Sequence, residues 1–189
     1  MGIKISYNAP VVLTFSLIAG ALWVLASVAG GPQLVLPPSM NWLNPFAYLT
    51  LVGYIFSHAD GTHLISNMSF ILLLGPVLEE KYGSKKLGIM ILLTALLTAF
   101  IHQLFFSHGL LGASGIVFMF IILVSFSNVE EGKIPLTFVL ILLLFVGKEV
   151  LASFQDDNVS QFAHILGGVC GGVFGITQSK SWKKEQEQL

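Results

Sequence analysis

The chain has 189 residues, of which 54% are hydrophobic and only 10% are charged, and its formal net charge is -1. Soluble domains carry roughly 25% charged residues, so there are too few charges here to cover a soluble surface. The near-neutral balance, with no basic cluster beyond Lys183 and Lys184, argues against nucleic acid as a partner. Its single cysteine, Cys170, excludes an internal disulfide and a thiolate metal cage. We therefore predict a membrane protein.

Apolar runs interrupted by charge, glycine and proline recur along the chain, and about 18 apolar residues are enough to cross a bilayer as a helix. The six candidate spans cover about residues 9–28, 63–78, 87–106, 114–126, 135–152 and 162–177. The fourth is too short to cross alone, so it must begin inside the membrane, buried by other helices or beside a water-filled cavity. We expect an all-α integral membrane protein, a six-transmembrane-helix bundle with a short central fourth helix. A single domain would cover residues 1–180, and residues 181–189 would form a short cytoplasmic tail.

The first span follows one lysine, and no small-residue cleavage pattern closes it, so it is interpreted as a retained signal anchor. If the N-terminus is inside, every lysine except Lys148, in the fifth span, falls on the cytoplasmic side. Lysine and arginine are enriched in the cytoplasmic loops of membrane proteins. We therefore expect a multi-pass protein with both termini in the cytoplasm.

The connection between the first and second spans, residues 30–54, is the longest in the chain. Prolines interrupt its apolar residues, and the aromatic side chains of Trp42, Phe46 and Tyr48 are interleaved with them. Tryptophan and tyrosine favour the membrane surface because their rings are apolar and each carries one polar group. We expect this segment to lie at the membrane interface.

Polar side chains inside apolar spans are costly and mark functional sites by default. The informative ones are His63 and Asn67 in the second span, Ser114 at the start of the fourth, and His164 early in the sixth. All four are predicted near the non-cytoplasmic ends of their helices. Three separate spans would therefore bring polar groups to one depth.

Ser114 lies in the sequence Gly-Ala-Ser-Gly at the predicted start of a helix, where free backbone N–H groups can bind a developing oxyanion. A serine hydroxyl needs a neighbouring base to accept its proton, and the neutral imidazole of His164 is suited to this near pH 7. Serine before a helix is more often a simple N-cap. The four-residue pattern alone is therefore weak evidence for a nucleophile.

His63 and Asn67 are four residues apart, so they lie on one helix face, and both can donate hydrogen bonds. They could complete an oxyanion hole. The alternative is a pair of polar groups that tie helices together.

Small residues that follow His164 leave one face of the sixth helix nearly bare, which allows two helix backbones to approach closely. They are Gly167, Gly168, Gly171, Gly172 and Gly175. Close packing on this face would bring His164 within reach of Ser114.

Five histidines raise the alternative of a metal site: His58, His63, His102, His108 and His164. No carboxylate joins them at the usual ligand spacing. We expect neither a metal nor another cofactor.

Taken together, these segments resemble the rhomboid family of intramembrane proteases. The similarity runs in order through residues 58–67 (HADGTHLISN), Gly75 and Glu79, Gly83-Ser84, the sequence Gly112-Ala113-Ser114-Gly115, and Ala163-His164 with Gly167 and Gly171. It extends over about residues 50–177. Each piece is short, but their order and spacing across three helices make a chance match improbable.

The resemblance implies that Ser114 is the nucleophile and His164 the general base, with no acidic third member. The side chains of His63 and Asn67, with the backbone N–H of Ser114, would hold the oxyanion, and Gly112 belongs to the same turn. The implied activity is that of a serine-type endopeptidase of a bacterial plasma membrane, which cleaves transmembrane segments of other membrane proteins through an acyl-enzyme. Its partners would be those substrates and the lipid bilayer.

Two alternatives come from other functional classes. One is an inactive rhomboid-like protein that binds membrane clients; such relatives lose the serine or the histidine, whereas this chain keeps both. The other is a histidine-lined transporter, a class that often shows repeat symmetry. Labelling by a fluorophosphonate separates them, because it requires an activated serine.

Overall fold

The computed structural model describes residues 5–31, 33–126 and 161–186, together with residues 136, 137, 139–141, 143, 144 and 147. Within these ranges the secondary structure is helical, and the prediction of an all-α fold is confirmed. The helices are α1 (Pro10–Ala29), α2 (Ala47–Gly53), α3 (Gly61–Tyr82), α4 (Ser84–Phe105), α5 (Ser114–Ser125) and α6 (Gln161–Gln186). A short 3-10 helix, Tyr54–Phe56, follows α2 directly.

Three of the described helices, α1, α3 and α4, are long and apolar enough to cross a membrane, with mean hydropathies of 2.3, 1.4 and 2.0. They correspond to the first three predicted spans, although α3 continues to Tyr82, beyond the predicted end at residue 78. The predicted fifth span, residues 135–152, lies outside the described residues apart from scattered positions. The count of six spans therefore stays a prediction.

Helix α5 is short, and every residue from Ile116 to Leu123 is buried. It packs against α3, α4 and α6 and so lies at the centre of the described helices. Its contact with α6 depends on glycines: a methyl group on Gly167 would collide with the carbonyl oxygen of Gly115. A methyl group on Gly171 would lie 2.5 Å from the carbonyl oxygen of Met119. The small face of α6 thus allows the two backbones to touch.

The start of α1 is bound by a side chain from the far end of α3. The carboxylate of Glu79 accepts hydrogen bonds from the backbone N–H groups of Val11 (2.9 Å) and Val12 (3.0 Å), in the first turn of α1. Glu79 is buried, with 5% of its surface exposed. Because N–H groups in the first turn have no acceptor within their own helix, this carboxylate both satisfies them and joins α1 to α3.

The segment predicted to lie at the interface contains a short helix that its prolines did not suggest. Helix α2 packs against α4, while neighbouring apolar side chains remain exposed, among them Leu43 (95%) and Phe46 (74%). The hydroxyl of Tyr48 donates to the carbonyl oxygen of Trp42 at 3.0 Å. These exposed aromatic residues are compatible with a membrane surface.

Helix α6 runs through Gln186 and so enters the stretch assigned to the tail, residues 181–189.

Candidate active site

The turn before α5 contains a glycine with a positive φ angle. Gly112 has φ +112°, a conformation that residues with a Cβ rarely adopt. Its N–H donates to the carbonyl oxygen of Tyr54 at 2.9 Å, and just before it Leu110 pairs through its backbone with Leu36. These bonds fix the approach of the chain to Ser114, the first residue of α5. At such a helix start the first N–H groups have no acceptor within the helix.

His63 and Asn67 lie directly against this turn. A methyl group on Gly112 would come within 2.7 Å of Cε1 and 2.9 Å of Nε2 of His63, and within 3.9 Å of Nδ2 of Asn67. No side chain other than hydrogen fits at residue 112 without moving the His63 ring. The Nδ2 atom of Asn67 is buried without a hydrogen-bond partner within the described part of the chain. The two predicted donors and the turn therefore form one cluster.

The N-terminal cap of α3 helps to fix the position of His63. Asp60 precedes α3, and its side chain accepts a hydrogen bond from the backbone N–H of His63 at 2.8 Å. An aspartate in this position satisfies a free N–H of the first turn. One helical turn later, Asn67 falls on the same face as His63, as the spacing of four residues predicts.

His164 faces α5 from α6. Its ring stacks on Phe118, with the ring centroids 4.3 Å apart and the planes 7° from parallel. Next to it in sequence, the carbonyl oxygen of Ala163 would lie 3.1 Å from a methyl group placed on Gly115. His164 and Ser114 are thus each adjacent to a residue of this contact between α5 and α6.

A small cavity lies behind the start of α5. Its volume is about 10 Å³, which is roughly the space that one water molecule requires. The lining includes Tyr54, Thr94, Thr98, Gly112, Ser114 and Ala163. The hydroxyl oxygens of Thr94 and Thr98 are buried. Polar atoms therefore border a water-sized space beside the serine.

Of the remaining histidines, His102 and His108 contact each other, whereas His58 contacts His63. His102 is fully buried; its Nε2 lies 2.8 Å from the carbonyl oxygen of His108, and the two rings meet edge to face at 4.8 Å. His58 instead packs edge to face on His63, with the ring centroids 5.0 Å apart. Among the described residues no group of three histidine, cysteine, aspartate or glutamate side chains is arranged to hold a metal ion.

Burial controls the charge of His58, which is 1% exposed in the turn before α3. Loss of hydration lowers its pKa from 6.5 to about 4, and the neighbouring His63 acts in the same direction. The carbonyl oxygen of Phe56 and the carboxylate of Asp60 oppose this shift. His58 is therefore neutral near pH 7.

The placement of the four polar residues at one depth in the membrane stays a prediction, and sequence reasoning missed two features around them. One is the contact of His58 with His63, since the sequence suggested no role for His58 other than metal binding. The other is the cavity wall contributed by α4, where Thr94 and Thr98 are four residues apart on one helix face. That spacing of hydroxyl groups within an apolar span is a signal that the sequence already contained.

A model of the rhomboid domain matches residues 45–181. The chain is 22% identical over 139 residues to the rhomboid protease GlpG of Haemophilus influenzae, a match that spans 72% of each protein. It is 31% identical over 130 residues to the putative rhomboid protease YdcA of Bacillus subtilis, covering 65% of this chain and 62% of that one. Rhomboid-related protein 1 of Caenorhabditis elegans is 32% identical over 135 residues, which are 65% of this chain and 38% of that protein.

Proposed function

The chain belongs to the rhomboid family and is an integral membrane protein, and on that premise we propose that it is an intramembrane serine endopeptidase. Ser114 would act as the nucleophile and His164 as its base. The substrates would be transmembrane segments of other membrane proteins. Two relatives are named as a rhomboid protease and a putative rhomboid protease, which supports an assignment to peptide-bond hydrolysis.

The observation that carries this proposal is the stack of Phe118 on His164, 4.3 Å between centroids, one helical turn after Ser114. It holds the imidazole against α5, the helix that begins with the serine. Two residues before that serine, a methyl group on Gly112 would meet the side chains of His63 and Asn67. The proposed base therefore packs on the second turn of α5, and the two proposed donors lie beside the turn that precedes this helix.

In the first step, the Ser114 hydroxyl transfers its proton to His164 while its oxygen attacks the client carbonyl carbon. The negative charge that develops on the carbonyl oxygen accepts hydrogen bonds from His63, Asn67 and the backbone N–H of Ser114. When the tetrahedral intermediate collapses, the carbon–nitrogen bond breaks and His164 returns the proton to the departing amine. An acyl-enzyme on Ser114 remains.

In the second step, water hydrolyses this ester. His164 accepts a proton from the water as its oxygen attacks the acyl carbon, and the same donors hold the new oxyanion. The ester bond to Ser114 then breaks, and the serine oxygen regains a proton from His164. The space of about 10 Å³ beside Ser114 can hold one such water within the protein.

The proposal is tested with purified protein and a model transmembrane client. Ser114→Ala and His164→Ala should each abolish cleavage, and the double variant should be no worse than either, because a nucleophile and its base act as one unit. A fluorophosphonate should label the wild type but not Ser114→Ala.

Ser125→Ala is a matched control, since Ser125 ends the same helix and its hydroxyl donates to the carbonyl oxygen of Ile121. It should cleave and label as the wild type does. Cleavage by purified Ser114→Ala would refute the serine mechanism. A correctly folded wild type that neither cleaves nor labels would instead favour the client-binding or transporter alternatives.

A further inference from the structure

The mechanism leaves His58 without a role, yet this residue is more completely buried than either proposed oxyanion donor. It is 1% exposed, compared with 6% for Asn67, while His63 is half-buried. The edge-to-face contact of His58 and His63, with 5.0 Å between centroids and 73° between planes, covers one side of the His63 ring. The Cε1 and Nε2 atoms of His63 face Gly112. His63 thus contacts both His58 and the turn before the serine.

The 3-10 helix Tyr54–Phe56 connects both sides of this arrangement. The carbonyl oxygen of Tyr54 accepts from the N–H of Gly112 at 2.9 Å. The carbonyl oxygen of Phe56 lies 3.3 Å from Nδ1 of His58. Four contacts therefore connect these groups. The 3-10 helix binds Gly112, Gly112 lies against the His63 ring, the His63 ring packs on the His58 ring, and Nδ1 of His58 lies near the 3-10 helix again.

The turn that carries His58 is itself anchored. The side-chain amide of Gln33 donates to the carbonyl oxygen of His58 at 3.4 Å, and the hydroxyl of Ser57 accepts from the N–H of Leu34 at 2.9 Å. Because these two hydrogen bonds hold Ser57 and the backbone of His58 to residues 33 and 34, the His58 ring is fixed in its contact with His63.

The chemistry of His58 suits support and does not suit catalysis. With Phe56 as acceptor, Nδ1 carries the proton and Nε2 is left as an acceptor. That Nε2 is buried and has no hydrogen-bond partner among the residues that the structure describes. Replacing it by a carbon would cost no hydrogen bond, so the ring itself is what the neighbouring His63 uses.

We infer that His58 is a positioning residue, which holds the His63 ring against the Gly112 turn so that the oxyanion donor is in place before a client arrives. This inference rests on the proposed function, because it gives His58 no effect except through His63. A positioned donor stabilises charge without reorganisation during the reaction. Loss of the support should therefore lower kcat and leave KM nearly unchanged.

The test compares His58→Ala, which removes the ring, with His58→Phe, which keeps an aromatic ring of somewhat larger size and removes both nitrogens, including the Nδ1 donor to the carbonyl oxygen of Phe56. Loss of one oxyanion donor slows turnover by about 10² to 10³-fold, and a misplaced donor should cost less, about 10 to 100-fold in kcat for His58→Ala. His58→Phe should recover most of this loss. If His58→Ala fails to fold, the comparison of His58→Phe with the wild type and the cycle below remain available.

A double-mutant cycle then isolates the route of the effect. Adding His58→Ala or His58→Phe to His63→Ala should cause no further loss of kcat, because the supported ring is already absent. His102→Ala is the matched control: another buried histidine that contacts a backbone carbonyl, away from His63. Any loss that it causes should multiply with that of His63→Ala.

Multiplicative losses for His58 and His63, or a His58→Phe variant as slow as His58→Ala, would overturn the positioning role. Both results leave the proposed function standing as long as Ser114→Ala is inactive and the wild type is labelled by a fluorophosphonate. Cleavage by Ser114→Ala would instead remove the proposed function itself.

Discussion

The side-chain amide of Asn67 is buried beside Gly112, and its nitrogen is not engaged by a hydrogen bond within the described residues. If Asn67 joined two helices, this nitrogen would donate a hydrogen bond to another helix. If Asn67 binds the oxyanion, the nitrogen has no acceptor until a client is bound. Asn67→Ala should therefore keep the thermal stability and lower single-turnover cleavage by about 10² to 10³-fold. The exposed neighbour Ser66 provides the control, and Ser66→Ala should change neither quantity.

Unchanged turnover of Asn67→Ala together with a lowered melting temperature would show that this residue ties helices and does not bind the oxyanion. His63→Ala should follow the same pattern as Asn67→Ala, with its main loss in kcat rather than in client binding.

The buried neutral state of His58 makes folding stability depend on pH. Its pKa is about 4 in the folded protein and 6.5 when hydrated, so the unfolded chain binds more protons between these values. Stability is then complete above pH 6.5 and is lost progressively as the pH falls toward about 4. The groups that face His58 are Asp60 and His63. We expect the melting temperature of the wild type to fall over this window more steeply than that of His58→Phe.

Equal pH dependence of the two melting curves from pH 8 to pH 4 would contradict this assignment, because His58→Phe cannot be protonated at this position.

At the scale of the helices, the contact of α5 with α6 depends on which glycine of α6 faces its neighbour. A side chain at residue 171 would collide with the backbone of Met119, whereas residue 172 has open space around it. Gly171→Leu should therefore destabilise the protein by about 1–3 kcal/mol or more, and activity should fall together with the melting temperature. Gly172→Leu, one residue away on the same helix, should melt as the wild type does.

Full stability of Gly171→Leu with a large loss of activity alone would refute a packing role for this glycine.

The junction of α1 and α3 offers a second test at this scale. Glutamine at residue 79 keeps one acceptor oxygen but directs an NH₂ group at one of the two N–H groups of α1 that the carboxylate binds. One of these two backbone donors therefore loses its partner. Glu79→Gln should lower the free energy of unfolding by about 1–3 kcal/mol. Glu80, the exposed next residue, is the control, and Glu80→Gln should have little effect. Thermal melting in detergent compares the two variants.

Equal melting temperatures for the two variants would show that the carboxylate of Glu79 does not stabilise the start of α1. Cleavage by the folded fraction of Glu79→Gln should remain near that of the wild type, since Glu79 lies at the opposite end of α3 from His63.

The orientation of the whole molecule in the membrane remains a prediction from its lysines. The turn between α3 and α4 should face the cytoplasm and the connection between α4 and α5 the outside. After removal of Cys170, a single cysteine in place of Ser107, which is exposed, should react with a membrane-impermeant maleimide in intact cells. A cysteine in place of Ser84 should react only after the cells are opened. The reverse pattern would overturn the topology.

Much of the class and fold of this protein follows from its sequence. Lipid offers no hydrogen bonds, so long apolar runs in a membrane must be helices, and α1, α3 and α4 follow from hydropathy alone. The spacing of His63 and Asn67 predicts a shared helix face, because the α-helical repeat is a local property. The order of the short motifs was enough to indicate the rhomboid family. Ser114 and His164 stand out in the sequence because they are polar residues in spans where polar groups are costly.

The tertiary structure alone decided which of these groups touch. The Glu79 carboxylate binds N–H groups 68 and 67 residues away, and the His63 ring contacts both His58 and the turn before α5. Hydropathy and helical repeat are properties of neighbouring residues and contain no information on how helices cross. Crossing depends on which small faces let two backbones meet, as Gly167 and Gly171 do with α5. For that reason the sequence alone determined the candidate residues, while the packing of the helices decided their contacts.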